Sequence, residues 1–234
     1  MRIRKKRWAK PEMEKDHKVI YNPTELKGKW KDIFGNDNPI HLELGCGKGN
    51  FITKVAELNK NINYIAIDVY DEVLVYVLIK ANENKLENIR IIPINIELLG
   101  NVFTQDEIEK IYINFCTPWP NRRHQKRRLT HPNFLRIYKN FLRLKSEVWF
   151  KTDDDLLFKD SLQYFKDEGF TEIYKTFDLH QSDYEDNTMT EYEEKFSSQG
   201  IKIKFGMFRH ESTVSTKTSV CLFILVQIYL AKSF

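Results

Sequence analysis

Seven residues, Glu43-Leu44-Gly45-Cys46-Gly47-Lys48-Gly49, set a carboxylate two positions before three alternating glycines. Such a turn lets a ligand come close to the backbone, because no Cβ stands in its way. If a helix follows, its first free N–H groups face the same ligand. Asp68 lies 25 residues beyond Glu43, after the apolar pair Ala66-Ile67, where an acid is placed to accept the two hydroxyls of a ribose. Asn95 closes a third apolar run, Ile91-Ile92-Pro93-Ile94, and is placed to meet the amino group of an adenine. Singly these signals are weak, since an acid after a strand more often caps a helix. In this order they point to a nucleoside cofactor. A dinucleotide fingerprint would put its third glycine at position 50, where Asn50 stands. That spacing disfavours a nicotinamide oxidoreductase.

A second constellation follows the fourth apolar run. Asn114-Phe115-Cys116-Thr117-Pro118-Trp119-Pro120 brackets a Trp with two prolines, whose rings fix φ and stiffen the loop. Directly after it come Asn121, Arg122, Arg123, His124, Gln125, Lys126, Arg127 and Arg128. A rigid aromatic beside a cationic run suits a flipped or single-stranded base held by its phosphates. Arg122, Arg123, His124, Lys126, Arg127 and Arg128 are thus expected to contact RNA. The plainer alternatives are a packing role for Trp119 and a solvated basic face.

The elements that must position these loops read as alternating strands and helices. Strands are expected at 40–44, 64–67, 89–94, 111–115, 148–150, 173–177 and 201–208. Helices are expected at 51–58, 72–82, 105–110, 131–144, 156–168 and 189–198. Short apolar runs between amphipathic helices imply an α/β fold, a mostly parallel sheet with helices on both faces. The 234 residues divide into a basic N-terminal arm (1–38), one domain (39–208) and an apolar tail (209–234). Residues 1–10 and 121–128 together hold eleven of the 37 basic residues and no acid, leaving 26 bases against 33 acids elsewhere. Such segregation is the footprint of a polyanion partner. Three cysteines without a CxxC pair argue against a disulfide framework or a zinc ribbon, and no metal set is read. No apolar segment follows the basic start, so it does not read as a secretory signal, and a cytoplasmic location is expected. The apolar run 219–231 is shorter than the roughly 20 residues that span a bilayer, and is expected to pack on the body.

The E-x-G-x-G-x-G turn resembles the first motif of Rossmann-like S-adenosylmethionine-dependent methyltransferases. PWPNRRHQKRRLTHPNFL, with MRIRKKRWAK at the start, resembles the bacterial tRNA (guanine-N7-)-methyltransferases. Phe150-Lys151-Thr152-Asp153 and Thr190-Glu191-Tyr192-Glu193 are similar to that family's F-K-T-D and T-x-Y-E segments. The resemblance implies methyl transfer from S-adenosylmethionine to a variable-loop guanosine of tRNA, by a monomer or homodimer with no membrane partner. It assigns Glu43, Gly45, Gly47, Gly49, Asp68, Asn95 and Thr117 to the cofactor. Asn121, Asp153, Thr190, Glu191, Tyr192 and Glu193 go to the substrate, and Thr117 and Asp153 to catalysis. Two positions depart from the family pattern: Thr117 stands where an Asp is usual, and Asn121 where a Lys is usual. Those departures favour a rival, a methyltransferase-like protein that binds RNA without acting on it. Another rival is a methyltransferase of a different base, such as adenine N6. Independently of any family, Thr190 and Glu193 have the spacing of a helix capping box.

Overall fold

The computed structural model describes residues 4–211; the apolar run 219–231 and Cys221 lie outside the described residues. Seven strands form one sheet: β1 (Ile40–Leu44), β2 (Asn63–Asp68), β3 (Ile89–Pro93), β4 (Ile108–Asn114), β5 (Leu142–Thr152), β6 (Phe170–Thr176) and β7 (Lys204–His210). Their order is β3-β2-β1-β4-β5-β7-β6. The first five pair in parallel, and β7 runs antiparallel to both β5 and β6. The chain leaves β1 toward β2 and later returns to β1's other side as β4. The sheet therefore has its topological switch point between β1 and β4, where ligands bind at the carboxyl ends of strands.

β1 is buried at all five positions, as expected of a strand covered on both faces. On one face α3 (Asn50–Leu58) and α4 (Asp71–Glu83) pack through Ile52, Val55, Val75 and Leu78. On the other, α5 (Pro132–Lys139) and α6 (Asp155–Asp167) pack through Leu135, Tyr138, Phe158 and Phe165.

The N-terminal extension is built into this body. Helix α1 (Ala9–Met13) buries Ala9 and Met13 in the cluster that holds α4. Residues 18–20 then bond along the edge of β3, with Ile20 N–H donating to the Ile91 carbonyl at 2.9 Å. Helix α2 (Trp30–Phe34) lands on the opposite face, where Trp30 is fully buried against Phe103 at 5.4 Å between ring centroids. The extension thus crosses from one face to the other around the sheet edge.

Two expected elements are corrected. Residues 105–110 do not form a helix: Asp106 turns the chain at φ 61°, and β4 begins at Ile108. The helix expected at 131–144 stops at Lys139, and Leu142 already belongs to β5, six residues earlier than expected for that strand. A register shift near Ile108 and the positive φ of Lys145 (69°) break the strand's alternation there, which hides its start.

Candidate active site

Five loop ends meet at the carboxyl edge of the parallel strands: those after Leu44, Asp68, Pro93, Asn114 and Thr152. The glycine turn runs Gly45, Gly47, Gly49 with φ of 74°, 54° and 72°. At Gly49 two constraints coincide, since a Cβ would also lie 2.6 Å from Cγ2 of Val77 on α4. The turn is locked to β2 through Asp68, whose carboxylate accepts from the N–H groups of Gly47 (3.2 Å), Val69 (2.7 Å) and Tyr70 (3.2 Å). Burial raises the Asp68 pKa from its ordinary value despite these bonds.

Glu43 lies beneath the turn and is 3 % exposed. Asn114 donates to its Oε1 at 2.9 Å, while Oε2 is buried with no partner. Burial pushes its pKa up to about 8 against the pull of Asn114. A buried oxygen left unpaired costs roughly 1–3 kcal/mol, so the arrangement fits a ligand that brings a cationic donor.

From Glu43 a polar row continues through Asn114 on β4 to Lys151 on β5. The Lys151 ammonium donates to Glu193 Oε2 (2.9 Å), to the Thr188 carbonyl (3.0 Å) and to Asn187. Burial lowers the Lys151 pKa even though Glu193 opposes the shift. Glu193 belongs to α7 (Glu191–Ser197), where its N–H donates to Thr190 Oγ1 at 3.0 Å and its own carboxylate accepts from the Thr190 N–H. The capping box is therefore present. Glu193, expected on the substrate guanosine, has no exposed surface and both its oxygens are engaged within the protein. It anchors α7 from beneath, and Thr190 is likewise buried as the helix cap. Of the expected substrate residues on α7, Glu191 and Tyr192 are the exposed ones. Glu191 accepts from Asn50 Nδ2 at 2.6 Å, tying α7 to the glycine turn. Tyr192 is 48 % exposed and stacks on Phe115, with centroids 6.1 Å apart.

Asn95 is exposed, and its Oδ1 caps a 3-10 turn (Ile96–Asn101) by accepting from the Glu97 N–H at 3.1 Å. Its amide Nδ2 donates to Glu97 Oε2 at 3.4 Å. Asp153 follows β5 with a half-buried side chain, and among the described residues its carboxylate makes no hydrogen bond. Thr117 is exposed and its hydroxyl is likewise unbonded among the described residues.

The loop carrying Thr117 is strained at both ends. Phe115 and Trp119 adopt φ of 50° and 41°, a region that costs a non-glycine residue roughly 1–3 kcal/mol. Trp119 packs on His124 at 5.8 Å, and the Arg127 guanidinium stands 5.1 Å from the Trp119 ring centroid. Asn121, Arg122, Arg123, Lys126 and Arg127 are exposed, so the basic run forms a ledge beside the loop. Arg128 departs from expectation. It is 1 % exposed and turns inward, donating from Nε to the Pro118 carbonyl (2.8 Å) and from a terminal nitrogen to Asp160 Oδ2 (2.6 Å). At the same edge, Lys6 of the N-terminal extension reaches the Glu72 carbonyl in the first turn of α4 at 3.1 Å.

Sequence reasoning missed Asn114, Lys151, Phe115 and Asp160. Asn114 and Lys151 carried a usable signal: each lies two positions after a buried-face aromatic, Tyr112 and Trp149, so strand parity turns them inward. Among the described residues no cluster of three or more His, Cys, Asp or Glu is arranged to hold a metal, and no helix is long and apolar enough to cross a membrane.

A family model described as a putative methyltransferase matches residues 37–205. The chain is 64% identical over 208 residues to the tRNA (guanine-N(7)-)-methyltransferase of Desulfitobacterium hafniense (strain DSM 10664 / DCB-2), covering 89% of this chain and 98% of that protein. A protein of the same name from Clostridium tetani (strain Massachusetts / E88) is 60% identical over 205 residues, covering 88% and 97%. Among solved structures, the 16S rRNA methyltransferase KamB superposes with a TM-score of 0.59 at 12% identity, over 79% of this chain and 93% of that one. The aminoglycoside resistance methyltransferase NpmB1 gives 0.55 at 14%, over 82% and 94%. At such identities the likeness is one of fold, the Rossmann-like methyltransferase sheet that the strand and helix pattern implies. The identities near 60% are of another kind: they extend over almost the whole length of each relative, and they make this chain a member of the tRNA (guanine-N7-)-methyltransferase family.

Proposed function

We propose that this protein methylates N7 of a guanosine in the variable loop of tRNA, with S-adenosylmethionine as donor. The observation that carries the reading is Glu43: a buried carboxylate oxygen without a partner, under a glycine turn, on the same edge as the cationic ledge. The cofactor's methionine end bears an ammonium, which fits Glu43 Oε2, and its ribose fits the edge where Asp68 is held by three backbone N–H groups. Asn95 lies exposed at the adenine end, where its bonds to Glu97 would give way to the ligand. When bound, S-adenosylmethionine supplies an electrophilic methyl group on a positively charged sulfur.

Guanine N7 offers a free lone pair, so its methylation removes no proton from that atom and needs no general base. The protein's task is to orient the purine in line and to exclude water. Tyr192 stacked on Phe115 offers an aromatic face for a base, and Asp153 offers a free carboxylate for the N1–H and N2–H₂ edge. Thr117 serves as a neutral hydrogen-bonding liner, with Asn121 beside it at the foot of the ledge. Glu191 and Thr190 hold α7 against the glycine turn, and Glu193 supports them from beneath. Arg122, Arg123, His124, Lys126 and Arg127, with the cations of the N-terminal extension, hold phosphates while the base turns out of the tRNA at a cost of a few kcal/mol. On this reading the protein acts in the cytoplasm, as a monomer or homodimer.

The test is incubation with methyl-labelled S-adenosylmethionine and unmodified tRNA, followed by mapping of the modified nucleotide. The expected product is one N7-methylguanosine in the variable loop. Cofactor and tRNA binding without transfer would refute the reading in favour of a binding protein, the alternative that the uncharged Thr117 favours. Restored transfer in Thr117→Asp would then locate the cause.

A further inference from the structure

We propose that Arg128 and Asp160 are positioning residues for the methyl transfer: their ion pair, with Arg128 buried, fixes the loop carrying Thr117 and Trp119 against the glycine turn. The inference rests on the function proposed above. Arg128 ends a run of cations, and its neighbours Lys126 and Arg127 are exposed, yet it is 1 % exposed itself. No phosphate reaches a guanidinium so enclosed. Its fork spans two elements instead, with Nε on the Pro118 carbonyl at 2.8 Å and a terminal nitrogen on Asp160 of α6 at 2.6 Å.

The bond to Pro118 falls between the two strained residues, Phe115 and Trp119, and next to Thr117. A loop in that conformation persists only where its surroundings over-determine it. The rest of the segment is fastened around the same point. Tyr138 donates to the Leu129 carbonyl at 3.0 Å, and Thr130 and Ser161 share a hydrogen bond of 2.6 Å. Leu129 in turn rests on the glycine turn, its Cδ1 3.8 Å from where a Gly45 Cβ would stand. Arg128 therefore connects the frame of α6 to the loop that faces the cofactor edge. Lysine cannot replace it, because one ammonium lacks the planar fork that meets both acceptors at once.

The test uses the full chain with S-adenosylmethionine and unmodified tRNA, comparing wild type, Arg128→Lys, Asp160→Asn and the double variant. A misplacement of about 1 Å at a reacting centre costs on the order of 100-fold in rate. The expected result is a kcat about 100-fold lower in Arg128→Lys and a smaller loss in Asp160→Asn. The double variant should be no worse than Arg128→Lys alone. Affinity for tRNA, its salt dependence and affinity for S-adenosylmethionine stay within twofold of wild type. A tRNA affinity that falls in Arg128→Lys with kcat retained would make Arg128 a direct tRNA contact and overturn the proposal. So would a kcat that falls only in step with the folded fraction. Should Arg128→Lys fail to fold, Asp160→Asn, altered at a partly exposed position, is judged by the same criteria. Retained kcat in the variants beside an active wild type sinks this inference alone, whereas an inactive wild type removes the function and the inference together.

Discussion

The glycine turn and the Pro-Trp-Pro loop lie at the same edge of the sheet and face the same problem: backbone with φ above zero next to a ligand. They solve it differently. The turn uses Gly45, Gly47 and Gly49, for which such angles carry no steric cost, and binds itself to Asp68. The loop places Phe115 and Trp119 at positive φ and restrains them with the Arg128–Asp160 ion pair and an aromatic stack. The turn can approach a small ligand closely because its three glycines carry no side chains. On the function proposed above the loop presents side chains to a base, which glycine would not supply, and Arg128 holds it from behind.

Breaking the turn should have the largest effect. Gly49→Ala introduces a Cβ 2.6 Å from Val77 at a φ of 72°, and is expected to destabilise the fold by about 2–4 kcal/mol in denaturant titration. Val77→Ala added to it should recover only the contact part of that loss, leaving the backbone strain. Next comes Glu43→Gln, which removes a charged acceptor and should weaken S-adenosylmethionine binding by roughly 10- to 100-fold in calorimetry.

Glu43 also carries a pH signature. Its folded pKa of about 8 stands above the ordinary 4.5, so the folded state holds a proton that the unfolded state releases. Its contribution to stability is full below pH 4.5 and is lost as the pH rises through 8. The ligand-free melting temperature of wild type should fall more steeply across that window than that of Glu43→Gln. Binding of a cation at Oε2 should expel the proton, seen at pH 7 as heat that depends on the buffer. Identical buffer dependence in Glu43→Gln would remove Glu43 from the site.

On the loop side, Arg123→Ala with Arg127→Ala should lower the tRNA salt slope by about 1–2 and leave cofactor affinity unchanged. An unchanged slope would place the RNA elsewhere. The smallest effect is expected of Asn50→Ala, which removes a solvent-exposed hydrogen bond to Glu191, at under about 1 kcal/mol in stability.

Much of the turn is legible in the amino-acid sequence, because its chemistry is local. The spacing of Glu43, the three glycines and Asp68 names both the strand ends and the bend between them. The loop is half legible. Its prolines, Trp119 and cations are visible as residue types, but the role of Arg128 depends on Asp160, 32 residues away on another element. A guanidinium looks the same in a sequence whether it ends in solvent or under a helix. Glu193 is ambiguous for the same reason, since the spacing that forms a capping box also matches the substrate segment. The misread start of β5 has a different origin: a bulge with Lys145 at positive φ removes the alternation on which strand recognition relies.

The buried pair of Lys151 and Glu193 has a consequence for how this lineage can vary. Losing one partner leaves a charge without compensation in the interior, at about 3–5 kcal/mol, whereas replacing both by apolar groups of similar volume can be nearly neutral. Single steps along that path are closed, so the two sites are expected to drift jointly across descendants, each ancestor keeping both ions or neither.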